Sequence, residues 1–199
     1  MNITAVKQQE RLKGRYSVYI DGKYAFSLSA DTLLSTKLTV GQELDAAALK
    51  AYKRLSQDDK AYSLALAYVA RRMRSEGELR DYFRRKGYDA PLSEQLLQKL
   101  TELGLVDDAK FSDAWVRNRR LLRGTSTRRL RQELRAKHVA DDTIRQSLAT
   151  DEVDDQAVLR ELVAKKRRQT RYRDDQKLMQ YLARQGFGYD DIRQALGQI

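Results

Sequence analysis

The chain has 199 residues, with 39 lysines and arginines against 28 aspartates and glutamates, a net charge of +11. It contains no cysteine, which excludes disulfides and thiolate metal sites and points to a reducing compartment; it also lacks the run of about 18 apolar residues that a membrane-spanning helix needs. The opening Met1-Asn2-Ile3-Thr4 is not expected to begin a signal peptide, because no charged segment precedes an apolar one, so a cytoplasmic monomer with a polyanionic or acidic partner is the expectation.

Residues 1–28 alternate in the manner of strands. Arg15–Ile20 and Lys23–Leu28 flank Asp21-Gly22, a pair suited to a hairpin because both central residues of a type I′ turn take positive φ. Ile3–Val6 can add a third strand. Ser29–Leu34 reads as a short helix, and Asp45 opens a longer one expected to end near Ser56. This N-terminal segment, 1–56, carries no obvious chemistry. It is either a cap on the helices after it or a docking hairpin whose open edge pairs with another strand.

Beyond it a repeat emerges. Asp-Asp doublets fall at Asp58-Asp59, Asp107-Asp108, Asp141-Asp142, Asp154-Asp155, Asp174-Asp175 and Asp190-Asp191. Each precedes apolar residues at helical spacing. Asp at a helix start accepts a bond from an unpaired backbone N–H and suits the positive end of the macrodipole. With Ser75, Ser93 and Thr127 the doublets mark nine helix starts in three groups of three. The predicted fold is mainly α: three tandem three-helix repeats, over 57–106, 107–152 and 153–199, stacked as an elongated curved array behind a small β-hairpin and helix segment. With 34% charged and 41% apolar residues, the chain suits a row of thin cores better than one thick one.

The second helix of each unit shows the repeat best. Leu79, Phe83 and Tyr88 correspond to Leu130, Leu134 and Val139, and to Leu178, Leu182 and Phe187, at i, i+4 and i+9. Gly87 and Gly186 share the position where a left-handed residue ends the helix. His138, the single histidine, stands there in the middle unit, which gives it a structural role rather than a catalytic one.

Basic residues gather where helix one meets helix two. The candidate binding residues are Arg71, Arg72, Arg74, Arg84, Arg85 and Lys86 in the first unit. In the second they are Arg117, Arg119, Arg120, Arg123, Arg128, Arg129, Arg131 and Arg135. In the third they are Lys165, Lys166, Arg167 and Arg168. Units stacked in like orientation would align these corners as a positive stripe for a long anionic track. Arginine matters here, since its planar fork engages phosphate or carboxylate bidentately; the bland alternative is an ordinary solvated face.

No Walker loop, Gly-x-Gly-x-x-Gly, His-Glu-x-x-His or nucleophile elbow is present. Carboxylate-bound Mg²⁺ at the doublets would make a nucleic-acid hydrolase, but capping accounts for them, and no catalytic residue, metal or cofactor is expected. Tyr62, Tyr68, Tyr82 and Tyr88 fall at apolar positions; Tyr172 and Tyr189 are freer to stack on bases. Ser75 and Glu78 have the spacing of a capping box.

These motifs together resemble the RecX regulatory family. The residues that carry the likeness are Arg71-Arg72-x-Arg74-Ser75-Glu76-x-Glu78-Leu79, Lys86-Gly87-Tyr88, Gly104-Leu105-Val106-Asp107-Asp108-x-x-Phe111, Arg117-x-Arg119-Arg120 and Gly124. The likeness covers roughly 60–196 and is sharpest between 65 and 150. After Gly124, where many members carry proline, this chain has Thr125-Ser126-Thr127-Arg128-Arg129. The resemblance implies a non-enzymatic modulator of the recombinase RecA, tied to DNA repair, recombination and the SOS response. It would lie in the groove of the RecA–DNA filament, touch RecA and single- or double-stranded DNA, and reduce filament growth, ATP turnover and strand exchange. The alternative is a general DNA-binding helical-repeat protein that acts without RecA.

Overall fold

The computed structural model describes residues 1–197; the last two residues of the expected third repeat, 198 and 199, lie outside the described residues. The fold is mainly α with a small N-terminal sheet, and it divides into two compact units. One comprises Met1–Arg72 with Ala90–Leu96, the other Met73–Asp89 with the chain from Leu97 onward.

In the first unit, β1 (Ile3–Gln8), β2 (Arg15–Ile20) and β3 (Lys23–Ser29) form an antiparallel sheet in that order. Asp21 and Gly22 take φ of 46° and 79°, the two positive values that the Asp-Gly turn calls for. Short helix α1 (Ala30–Thr36) is capped by Ser29, and α2 (Ala46–Val69) by Asp45, which accepts the Ala48 N–H at 2.6 Å. Ile3, Val18, Ile20, Phe26 and Leu28 pack beneath Tyr52 and Leu55 of α2, with the Phe26 and Tyr52 rings stacked at 5.7 Å.

Helix α2 does not end near Ser56. It continues to Val69, so Asp58-Asp59 lies in mid-helix and starts nothing. The physical reason is tertiary. The buried Asp59 carboxylate accepts from the Ser29 N–H (2.8 Å), the Ser29 hydroxyl (2.5 Å) and the Thr32 hydroxyl (2.7 Å), and pairs with Arg15 at 2.9 Å. One turn earlier the Ser56 hydroxyl donates to Ser27 O at 2.6 Å and accepts from Ser27 N at 3.4 Å. A polar row on α2 thereby occupies backbone groups of the β3 edge at Ser27 and Ser29.

The second unit holds α3 (Glu76–Lys86), α5 (Asp108–Arg123), α6 (Thr127–Arg135), α7 (Asp141–Thr150), α8 (Asp155–Arg167), a 3₁₀ turn at Thr170–Tyr172, α9 (Asp175–Arg184) and α10 (Tyr189–Gly197). Helix α4 (Ala90–Glu102) lies between α3 and α5 in sequence. Ser93 is inside α4 rather than at its start. The helix begins three residues earlier, with Pro91 in the first turn, where a missing N–H costs nothing. Thr127 likewise is the first helical residue and not the cap; Ser126 holds that place, accepting from Arg129 N at 3.2 Å.

The repeat periodicity is realised side chain by side chain. Leu79, Phe83, Leu130, Leu134, Val139, Leu178, Leu182 and Phe187 are all buried. Helices α3, α6 and α9 end alike, with Tyr88, Val139 and Phe187 donating their N–H to the carbonyls of Phe83, Leu134 and Leu182. The residue before each takes positive φ: Gly87 at 72°, His138 at 57° and Gly186 at 94°. His138 thus does occupy the left-handed position its two glycine counterparts mark out.

Candidate partner-binding corners and the joints beneath them

Successive repeats in the second unit meet through one recurring joint. At the first joint, the N-cap Ser75 of α3 donates its hydroxyl to Lys137 O at 2.8 Å. Asp108, the first residue of α5, accepts the Glu76 N–H at 2.8 Å. At the second, the N-cap Ser126 of α6 donates its N–H to Gln185 O at 3.0 Å. Asp155, the first residue of α8, accepts the Thr127 N–H at 3.0 Å. These doublets therefore split their labour. Asp107 and Asp154 cap their own helices, on Lys110 N and on Gln156 and Ala157 N, while Asp108 and Asp155 cap a helix of the neighbouring repeat. Single-helix capping logic foresees only the first of each pair.

The joints are close-packed. A Cβ on Gly77 would lie 2.4 Å from the His138 Cβ and 2.7 Å from Lys137 O. Above this contact Lys137 pairs with Glu78 at 2.6 Å and lies 5.4 Å over the Trp115 ring. Arg119 covers the same ring at 4.4 Å and bonds Glu133 at 2.7 Å, and the Trp115 indole N–H donates to that carboxylate at 3.0 Å. Burial raises the Asp108 carboxyl above its ordinary value; the Glu76 N–H works against this, and the charges of Glu76 and Asp107 reinforce it.

The predicted binding residues divide into two sets. Arg120 is turned inward, its side chain 8% exposed. It donates to Asp151 (2.8 Å), Asp155 (2.8 Å), Thr125 O (2.7 Å) and the Thr127 hydroxyl (2.7 Å). A surface contact is what its sequence neighbourhood predicts; a structural hub is what it forms. Arg119 and Arg129 share Glu133, and Arg167 pairs with Asp175. Arg84–Asp81 and Arg135–Asp141 are exposed pairs, of the kind worth little to stability. Lys86 lies over the Tyr82 ring at 5.7 Å and Lys166 over Tyr181 at 4.6 Å. The remaining set points outward: Arg71, Arg85, Arg117, Arg123, Arg128, Arg131, Lys165 and Arg168 are exposed. Arg72 is exposed and Arg74 half-buried in the stretch between α2 and α3.

The structure brings Arg123 of one repeat together with Lys165 and Lys166 of the next around a cleft of about 250 Å³. Tyr172 is not available for stacking: it is buried in the third-repeat core with Leu159, Leu178 and Ile192. Tyr189 is exposed. Among the described residues no helix is long and apolar enough to cross a membrane, and no group of three or more His, Asp or Glu side chains is placed to hold a metal.

Three-helix repeats joined by shared caps, with arginines left over at the helix corners, define a helical-repeat protein. Family models agree segment by segment. The regulatory protein RecX N-terminal domain matches residues 1–45, and its first, second and third three-helix domains match 61–100, 107–148 and 152–196. The chain belongs to the RecX regulatory protein family. Regulatory protein RecX of Bacillus subtilis is 31% identical over 99% of this chain and 76% of that relative, and the Levilactobacillus brevis protein is 34% identical over 94% and 72%. A crystal structure of a regulatory protein RecX superposes with a TM-score of 0.72 at 29% identity, covering 98% of both chains. RecX from Lactobacillus salivarius shares the fold at a TM-score of 0.57 and 21% identity, over 71% of this chain and 95% of that one.

Proposed function

We propose that this chain is a non-enzymatic regulator of RecA. It binds in the groove of the RecA–DNA filament as a monomer in the cytoplasm, and lowers filament growth, ATP turnover and strand exchange. Its working segments are the N-terminal segment 1–56 and the repeats 57–106, 107–152 and 153–199. Membership of a family of regulatory proteins supports this reading.

The observation that carries it is the division of the arginines. Inward members such as Arg120 are committed to the joints, whereas Arg117, Arg128, Arg131 and Arg168 are exposed. Their exposed charge matches a phosphate backbone. Such contacts position a protein on DNA without reading sequence, which fits a regulator that must act wherever a filament forms.

Titrating the chain into RecA turning over ATP on single-stranded DNA tests the reading. Falling turnover with rising chain concentration is expected; turnover unchanged at saturating chain contradicts it.

A further inference from the structure

The core-facing positions of α5 run through Phe111, Ser112, Trp115 and Val116, and continue at that spacing to Arg119 and Arg120. The side chains at this end are inverted relative to ordinary burial. Arg119 and Arg120 are 23% and 8% exposed, whereas Leu121 and Leu122, next in sequence, are 72% and 77% exposed. Two adjacent leucines in water at the tip of an arginine-rich helix are not needed for the core, which closes without them. They border the 250 Å³ cleft between this helix end and α8. Val153 and Val158 extend its apolar wall, and buried Leu162 lies among its lining residues. Basic groups rim it, Arg123 and Lys165 exposed and Lys166 held over the Tyr181 ring, against one acid, Glu161.

We propose that this cleft docks a protein segment that places apolar side chains against Leu121 and Leu122 and carboxylates against Arg123 and Lys165; resting on the function proposed above, that segment belongs to RecA. Phosphate gains nothing from two leucines, so the apolar wall selects protein over nucleic acid. A second copy of this chain would bring a net charge of +11 to a rim that is already basic. The corners thereby divide their tasks: the cleft meets protein, and the exposed arginines away from it meet the DNA backbone.

Affinity measured separately for DNA-free RecA and for single-stranded DNA tests this, with the full chain and its L121S/L122S and K165E variants. Both variants are expected to keep the wild-type helical circular dichroism, since these side chains lie outside the core. They are expected to lose at least tenfold in affinity for RecA while single-stranded DNA affinity stays within twofold for L121S/L122S. RecA affinity within twofold of wild type overturns the cleft assignment, and wild-type inhibition of ATP turnover then leaves the proposed function standing. A matching loss of DNA affinity in L121S/L122S also overturns it, by assigning the leucines to DNA. A wild-type chain that neither binds RecA nor changes its ATP turnover removes the proposed function, and the cleft assignment falls with it.

Discussion

Asp155 accepts the Thr127 backbone N–H through both carboxylate oxygens at 3.0 Å, the bond that Asp108 makes to Glu76 one repeat earlier at 2.8 Å. Each ties the start of helix two in one repeat to the start of helix one in the next. A repeat protein is held together by nearest-neighbour interfaces, so these two carboxylates carry more than their local helices.

Their charges have opposite consequences. Asp155 also binds Arg120, so D155A leaves partners unsatisfied and is expected to cost about 2–3 kcal/mol in urea unfolding at pH 7. Asp108 has a raised carboxyl pKa: the stability linked to it is present below the unfolded value of 3.8 and is lost as pH rises through the folded one. At pH 7 its charge is therefore a net cost. D108N keeps an acceptor oxygen for Glu76 N–H and is expected to equal or exceed wild-type stability, whereas D108A costs about 1–3 kcal/mol. A D108N protein less stable than D108A would contradict this.

Arg120 and the outward arginines are expected to separate cleanly. R120A breaks a buried pair and should cost about 3–5 kcal/mol, visible as a lowered thermal midpoint. R117E/R128E/R131E/R168E should unfold near the wild-type midpoint yet bind single-stranded DNA more weakly, with a shallower salt dependence by roughly 3 in log–log slope. Equal destabilisation of both variants would erase the distinction between joint and surface.

Asp59 predicts acid sensitivity in the first unit. Burial would raise its carboxyl, but the bonds from Ser29 and Thr32, with Arg15 beside it, outweigh that and hold it below its ordinary 3.8. A lowered value gives stability that is present above 3.8 and lost as pH falls through the folded value. D59N is expected to cost about 3 kcal/mol at pH 7 by leaving Arg15 poorly paired. Its deficit should shrink as pH falls below 3.8 and close only below the lower folded value, where the folded wild-type carboxylate is itself protonated. A pH-independent deficit would assign the effect to packing instead.

Gly77 reports on the first joint. G77A places a methyl group 2.4 Å from the His138 Cβ, so the repeats must separate or shift, at about 1–3 kcal/mol. Trp115, the single tryptophan, lies at this joint beneath Lys137. Its emission should change in G77A and stay constant in an alanine variant of Gly87, which is strained by its φ of 72° but has open space around its Cβ.

Local signals in the sequence are legible where the physics is local. The Asp21-Gly22 turn, the i, i+4, i+9 apolar spacing and the shared left-handed position of Gly87, His138 and Gly186 each depend on a few neighbouring residues. Signals that depend on distant partners mislead. Asp58-Asp59 resembles a helix start, yet Asp59 is explained by Ser29, Thr32 and Arg15, at least 27 positions away. The arginine run gives no sign that Arg120 turns inward, because Asp151 and Asp155 stand 31 and 35 positions downstream. Ser93 draws the eye away from Pro91, whose place in a first helical turn is the stronger start signal. The exposed Leu121-Leu122 pair is hidden by its arginine neighbours: in a periodic reading, apolar residues are assigned inward and charges outward, and this helix end reverses both.

The central claim is that the exposed, outward arginines deliver this chain to the RecA–DNA filament. The ATP turnover of RecA on single-stranded DNA, measured at saturating wild-type chain and across a titration of R117E/R128E/R131E/R168E, tests it most directly. The account predicts strong inhibition by the wild type and at least a tenfold higher concentration for half-inhibition by the folded variant. Equal inhibition by the two would contradict it.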